Sequence, residues 1–333
     1  MKKTLSLAFI ASLSLACCFS AIAKPAKEKG AKKGAAPATP TTFTSTPYNS
    51  QLFTPVEAFS DEFDGTEIDR AKWNTPNDAF AAWSFDGKNA SIEDGNLLLT
   101  AQHDIHKRGS KQFYFSSGML RSKTTRKYGY YEARVKGADI WPGLCSAFWL
   151  YSKVPSYLVK PQEAGVVSYN EIDVMELQQI ARDKRMMACN MHIMTLQKNA
   201  NGFSNFFVKA GKFPKMGKNE FPVKWDPEKD FHIYACENRP DSVVFYIDNK
   251  RVASKPNYFW HMDEGMYVTL SLGLRTPFES YQGTRHGVAT TKEQADAAGF
   301  PSSMIVDYVR CYERDYSEFP SLKRDRFNGA EFK

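Results

Sequence analysis

The chain predicts an all-β fold, an antiparallel β-sandwich or jelly roll. Three observations carry this. Short runs rich in Val, Ile, Phe, Tyr and Trp recur from Phe59 to Glu313, each closed by Gly, Asp, Asn or Pro. A helical pattern occurs only over Thr291–Ala298. No internal repeat divides the series, so about 265 residues read as one large β-domain.

Phe59–Gly65 and Lys72–Asn74 read as an opening strand and a loop that packs back on it. Ala90–Glu93 and Leu97–Thr100 flank Asp94-Gly95-Asn96, and Asp-Gly supplies the positive φ of a tight hairpin turn. Gly118–Ser122 and Tyr128–Lys136 follow, with clean alternation over Tyr131–Val135. Ser146–Tyr151, carrying Phe148 and Trp149, reads as buried on both faces or lining a cleft. An acidic strand spans about 169–178, and His192 lies on its expected neighbour. Phe231–Glu237, Val243–Ile247, Tyr267–Leu274 and Met304–Glu313 complete the set.

The net charge of +7 is concentrated outside this region. Lys2 and Lys3, five lysines against Glu28 over 24–36, and a basic excess of one over 317–333 account for it, leaving 37–316 close to neutral. A nucleic-acid reader needs a basic face on its folded body, so that class is disfavoured. Residues 1–23 read as a secretory signal: two lysines, an apolar run too short for a membrane span, then Ala21-Ile22-Ala23. The expected product is secreted, extracellular or periplasmic, with a lipoprotein anchor at Cys17 the lesser alternative. Residues 24–50, rich in Lys, Ala, Pro and Thr, cannot bury a core and read as a flexible linker. The folded domain is placed at 51–316 and a charged tail at 317–333. Beyond the leader, Cys145, Cys189, Cys236 and Cys311 permit two disulfides in three pairings, or four buried thiols. No cysteine–histidine spacing indicates zinc.

The chemistry concentrates in Glu171-Ile172-Asp173-Val174-Met175-Glu176-Leu177. Side chains two apart on a strand share a face, which groups Glu171 with Asp173 and turns Glu176 away. A β-bulge at Val174-Met175 restores Glu176 to their face, and bulges re-aim side chains in this way beside active sites. The two glutamate Cα atoms then lie about 13 Å apart, at ~3.3 Å per strand step. Side chains leaning together narrow this towards the ~5–5.5 Å carboxyl separation of a retaining glycosidase. A solvated strand face is the plain alternative for an isolated E-x-D-x-x-E. Three like charges crowded on one face repel, however, and cost stability unless a function retains them.

Taken in order, the motifs resemble glycoside hydrolase family 16. They are Phe59-Ser60-Asp61-Glu62-Phe63-Asp64-Gly65, Ser117-Gly118, Tyr128–Gly137, Pro142-Gly143, Ala147–Ser152, the acidic strand, Asp230–Tyr234 and Val306–Arg310. Within the family, Tyr258-Phe259-Trp260-His261, Leu270–Pro277 and Gly299–Met304 are most similar to the κ-carrageenases. The resemblance implies a jelly roll with a concave substrate cleft and retaining endo-hydrolysis of β-1,4 linkages in a sulfated galactan. Glu171 would be the nucleophile, Glu176 the acid/base, and Asp173, between them, the group that interacts with the nucleophile and helps set its protonation and orientation. Trp83, Trp149, His192, Trp260, His261 and Arg275 become substrate-binding candidates, Arg275 because its forked guanidinium suits a sulfate ester. The partner is then a polysaccharide, with no nucleic acid and no membrane span, and the chain is expected to act as a monomer. The chemistry requires no cofactor, while a structural calcium on the convex side occurs in relatives. Departures from the pattern are segment 103–116, Leu272 in place of a polar cleft residue, Arg121 and Lys123 in reversed order, and Phe206 or Phe207 in place of a tryptophan. The competing readings are an agar or porphyran hydrolase and a non-catalytic carbohydrate-binding module. The module has no use for the mutual repulsion of three acids.

Overall fold

The computed structural model describes residues 52–80, 83–179, 182–208, 212, 219–257, 265–279, 291–322 and 326–329. The expected signal, linker, Trp260 and His261 lie outside these residues. Among them two antiparallel sheets pack face to face as a jelly roll. One runs from Lys250–Pro256 through Ser242–Ile247, His232–Asn238, Gly129–Lys136, Ser302–Glu313 and Asn96–Arg108 to Ala90–Glu93. The other runs from Gly202–Val208 through Met186–Asn199, Val167–Leu177, Leu144–Lys153, Tyr267–Leu274 and Met119–Ser122 to Trp73–Asn74.

Alternation builds the layer between them. Leu97, Leu99, Tyr131, Ala133, Val135, Met304 and Val306 from the first sheet meet Phe148, Leu150, Ile172, Leu270 and Leu272 from the second. Leu272 is fully buried in this core. The expectation that it lines the cleft is therefore corrected: its neighbours Ser271 and Gly273 have the opposite parity along the strand. The opening segment docks as its motif suggests, since Trp73 Nε1 donates to Asp61 Oδ2 at 2.8 Å and Asp61 bridges Val309.

The local signals hold at both kinds of element. Asp94 and Gly95 have φ of 50° and 71°, the left-handed pair a two-residue hairpin turn requires. The helix occupies Lys292–Ala297, started by Thr291 in a capping box with Gln294. All four cysteines are buried and free, which decides between the two readings left open. The first residues of the tail dock on the domain: Leu322 N donates to Pro240 O at 3.3 Å, and Arg239 lies 5.2 Å over the ring of Phe319.

Candidate active site

The acidic strand, Val167–Leu177, contains the bulge. Asp173 pairs with Asn190 and Glu176 with Ala188, so three steps on this strand oppose two on the next. On its other side Asp173 pairs with Trp149 and Met175 with Phe148, which makes Val174 the extra residue. Val174 and Met175 both point into the core with Ile172 and Leu177. At ~1.5–3 kcal/mol for each fully buried aliphatic side chain, those four contribute on the order of 6–12 kcal/mol before opposing terms. A regular strand would drive Glu176 into that layer, where a lone ionised carboxylate costs several kcal/mol. Core packing and carboxylate desolvation therefore select the same geometry.

Glu171, Asp173 and Glu176 thus share the outer face of the sheet. Glu171 lies between Tyr151 on one neighbouring strand and His192 on the other. His192 Nε2 donates to Asp173 Oδ2 at 3.1 Å and stands 3.9 Å from Glu171 Oε1. The phenol of Tyr169 donates to Glu171 Oε2. Around Glu176, Gln179 Nε2 and Arg275 Nη2 donate to Oε1 at 2.7 and 3.3 Å, and Asn190 Nδ2 approaches Oε2 at 3.4 Å.

Burial raises the Asp173 carboxyl well above its ordinary value, reinforced by the charges of Glu171 and Glu176. Burial likewise raises Glu176, against the opposing field of Arg275. For His192, burial works against the charged form, but the hydrogen bond to Asp173 and the surrounding carboxylates outweigh it and push the imidazole up to about 9. Near neutral pH the cluster thus binds more protons than the same groups would in water. Polar atoms of Glu171, Asp173 and His192 lie within 4.8 Å of one another, a set able to hold a metal ion. This set is on the cleft, so it does not fit a calcium ion on the convex side.

The remaining candidates separate by position. Trp149 is half-buried on the cleft face, its Nε1 donating to Ser271 Oγ at 3.1 Å and its ring stacked 4.8 Å from Tyr151. Trp83 is only 8% exposed; its Nε1 donates to Leu274 O at 2.6 Å and Arg275 stacks on its ring at 4.7 Å. Its ring supports the arginine in place of meeting solvent. Phe207 lies 5.3 Å from the His192 ring, at the edge of the site, and is exposed, as is Phe206. Arg121 donates to the Tyr151 hydroxyl at 2.8 Å and lies over Tyr267, while Lys123 is exposed.

Sequence reading passed over Tyr169, Tyr151, Tyr267, Asn190 and Gln179. Parity offered a signal for three of them. Tyr169 is two residues before Glu171, Asn190 is two before His192, and Tyr151 is two after Trp149. Nothing local marks Gln179, which reaches Glu176 only because Gln178 turns the chain with a φ of 61°.

The family profile of the β-porphyranase A–D, GH16 domain, matches residues 53–314. The chain belongs to glycoside hydrolase family 16. Among curated family relatives, the κ-carrageenase of Pseudoalteromonas carrageenovora is 36% identical over 264 residues, covering 76% of this chain and 63% of that protein. The match therefore spans less than two thirds of that relative's own length. A κ-carrageenase structure from Zobellia galactanivorans superposes with a TM-score of 0.69 at 34% identity, covering 84% of this chain and all of the other. The complex of the Pseudoalteromonas enzyme with a κ-carrageenan oligotetrasaccharide gives 0.67 at 32% identity, covering 79% and 96%. Among the described residues, no helix is long and apolar enough to cross a membrane.

Proposed function

We propose that this chain is a secreted endo-hydrolase that cleaves β-1,4 linkages in a sulfated galactan with retention, acting on κ-carrageenan or a close relative such as furcellaran. The observation that carries this is the bulge at Val174, which brings Glu176 to the face of Glu171 and Asp173. Glu171 attacks the anomeric carbon as nucleophile while Glu176 delivers its proton to the departing glycosidic oxygen. In the second half, Glu176 takes a proton from water, which attacks the same carbon and releases Glu171. The division of roles follows from the charges. Burial favours the proton on Glu176, and the His192 cation helps hold the negative charge beside it.

Arg275 supports the choice of a sulfated substrate. Its guanidinium is oriented by stacking on Trp83, at the cleft end that carries Glu176. A forked donor held in this way suits a sulfate ester better than a flexible lysine does. The κ-carrageenase relatives point the same way.

The β-porphyranase profile favours a second reading, hydrolysis of porphyran, another sulfated galactan. Reducing-end release from κ-, ι- and λ-carrageenan, agarose, porphyran and laminarin separates the two. We expect release from κ-carrageenan and none by Glu171→Gln. Release from porphyran alone moves the assignment to the second reading. Binding without release from any galactan makes the chain a carbohydrate-binding module.

A further inference from the structure

Tyr169 is buried on the cleft face of the acidic strand, two residues before Glu171, with 6% of its surface exposed. Its hydroxyl donates to Glu171 Oε2. The other oxygen, Oε1, faces the side where His192 Nε2 stands 3.9 Å away. The ring of Tyr151 packs against that of Tyr169, 6.0 Å between centroids, which leaves the phenol little room to swing. Burial and the neighbouring Glu171 carboxylate push the phenol well above its ordinary value, so it keeps its proton and acts as a donor.

Resting on the retaining reading above, we propose that Tyr169 is a positioning residue for the nucleophile: it holds Oε2 of Glu171 and so assigns Oε1 as the oxygen that attacks the sugar. In the first step the Oε1 lone pair forms the bond to the anomeric carbon, the glycosidic C–O bond breaks, and the leaving oxygen takes the proton of Glu176. Oε2 is then the carbonyl oxygen of the glycosyl ester and still accepts from Tyr169. In the second step water attacks the anomeric carbon, gives a proton to Glu176, and the ester electrons return to the Glu171 carboxylate. The phenol transfers no proton in either step. Before attack it holds Oε1 aimed at the sugar, and as the ester breaks it stabilises the negative charge that returns to Glu171, with the donor already in place.

The test is Tyr169→Phe, which removes one oxygen and preserves the ring. We expect kcat on the galactan hydrolysed by the wild type to fall about 10- to 100-fold, the range a hydrogen bond to a charged group carries, with KM within about threefold. The acidic limb of the kcat/KM profile should move to higher pH, because the nucleophile loses a donor to its ionised form. Wild-type kcat with an unmoved acidic limb overturns the proposal. So does a loss of activity that comes with a lowered melting temperature and an unmoved limb, which marks a packing role alone. If the phenylalanine variant does not fold, 3-fluorotyrosine at position 169 carries the test: the stronger donor should move the limb to lower pH, and no movement overturns the proposal. Absence of hydrolysis by the wild type on every galactan instead removes the retaining reading, a result distinguishable from both.

Discussion

Arg275 faces Glu176 with 3.3 Å between Nη2 and Oε1, while the opposite face of its guanidinium rests on Trp83. Both members of this pair are largely buried, with side-chain exposures of 11% and 9%. Burial therefore raises Glu176 while the arginine acts against it. The carboxyl proposed as the general acid is thus set between two opposing influences.

Removing the cation should tip that balance in a known direction. A general acid works while protonated, so activity falls as pH rises through its value. In Arg275→Met the field that lowers Glu176 is gone and burial remains. The alkaline limb of kcat/KM should move to higher pH, and KM for the sulfated substrate should rise about tenfold or more with the loss of a charged hydrogen-bond donor. Kinetics across pH 5–10 on purified wild type and variant check both effects.

Glu176→Gln separates the two carboxylates by leaving-group dependence. The amide cannot give a proton to the departing oxygen, so polysaccharide hydrolysis should drop about 10²–10⁴-fold. A substrate with a good leaving group needs no such proton in the first step, so its glycosylation should be far less affected. Glu171→Gln should impair both substrates alike, and a burst experiment with an activated aryl glycoside distinguishes the two variants.

Deleting Val174 tests the bulge. The shortened run Glu171-Ile172-Asp173-Met175-Glu176-Leu177 alternates perfectly, which keeps the acids on the cleft face and the apolar residues in the core. The variant should fold, with a loss on the order of 1.5–3 kcal/mol for the missing buried valine. Its activity should fall by more than the stability does, because Glu176 moves relative to Gln179, Asn190 and Arg275. Denaturant melts and kcat measured on the same preparation check this.

Glu132 provides a pH test on the sheet opposite the acidic strand. It is 1% exposed, burial pushes it up to about 7, and Arg310 at 3.8 Å only partly opposes this. Because an acid with a raised folded value binds more protons folded than unfolded, the contribution of Glu132 to stability is fully present below about 4.5 and is lost as pH rises through about 7. Glu132→Gln should flatten this decline and raise the melting temperature at pH 8 relative to wild type. Thermal melts from pH 4 to 8 decide it.

Alternation and turn chemistry made most of the sheets readable without coordinates. Asp94-Gly95 announces its hairpin because few residue pairs tolerate two positive φ angles in succession. Leu272 was legible too: Val268, Leu270, Leu272 and Leu274 alternate with Thr269, Ser271 and Gly273, which puts Leu272 in the core, and only the family resemblance pointed it at the cleft. The acidic strand posed its own puzzle in sequence, since three acids on one face require an irregularity at Val174-Met175. Nothing in the residues could say which of the two is the extra one. The pairing of Asp173 with Trp149 and of Met175 with Phe148 decides that it is Val174.

Residue order alone thus determined the alternating β-architecture, the presence of three convergent acids and the need for a bulge between them, because these follow from the two-residue period of a strand. Only the tertiary structure decided that Trp83 lies under Arg275, that Tyr169 holds Glu171, and that Gln179 and Asn190 reach Glu176. The physical reason is that these contacts join side chains whose positions depend on strand pairing, and pairing is set by the whole core, not by any single stretch of chain.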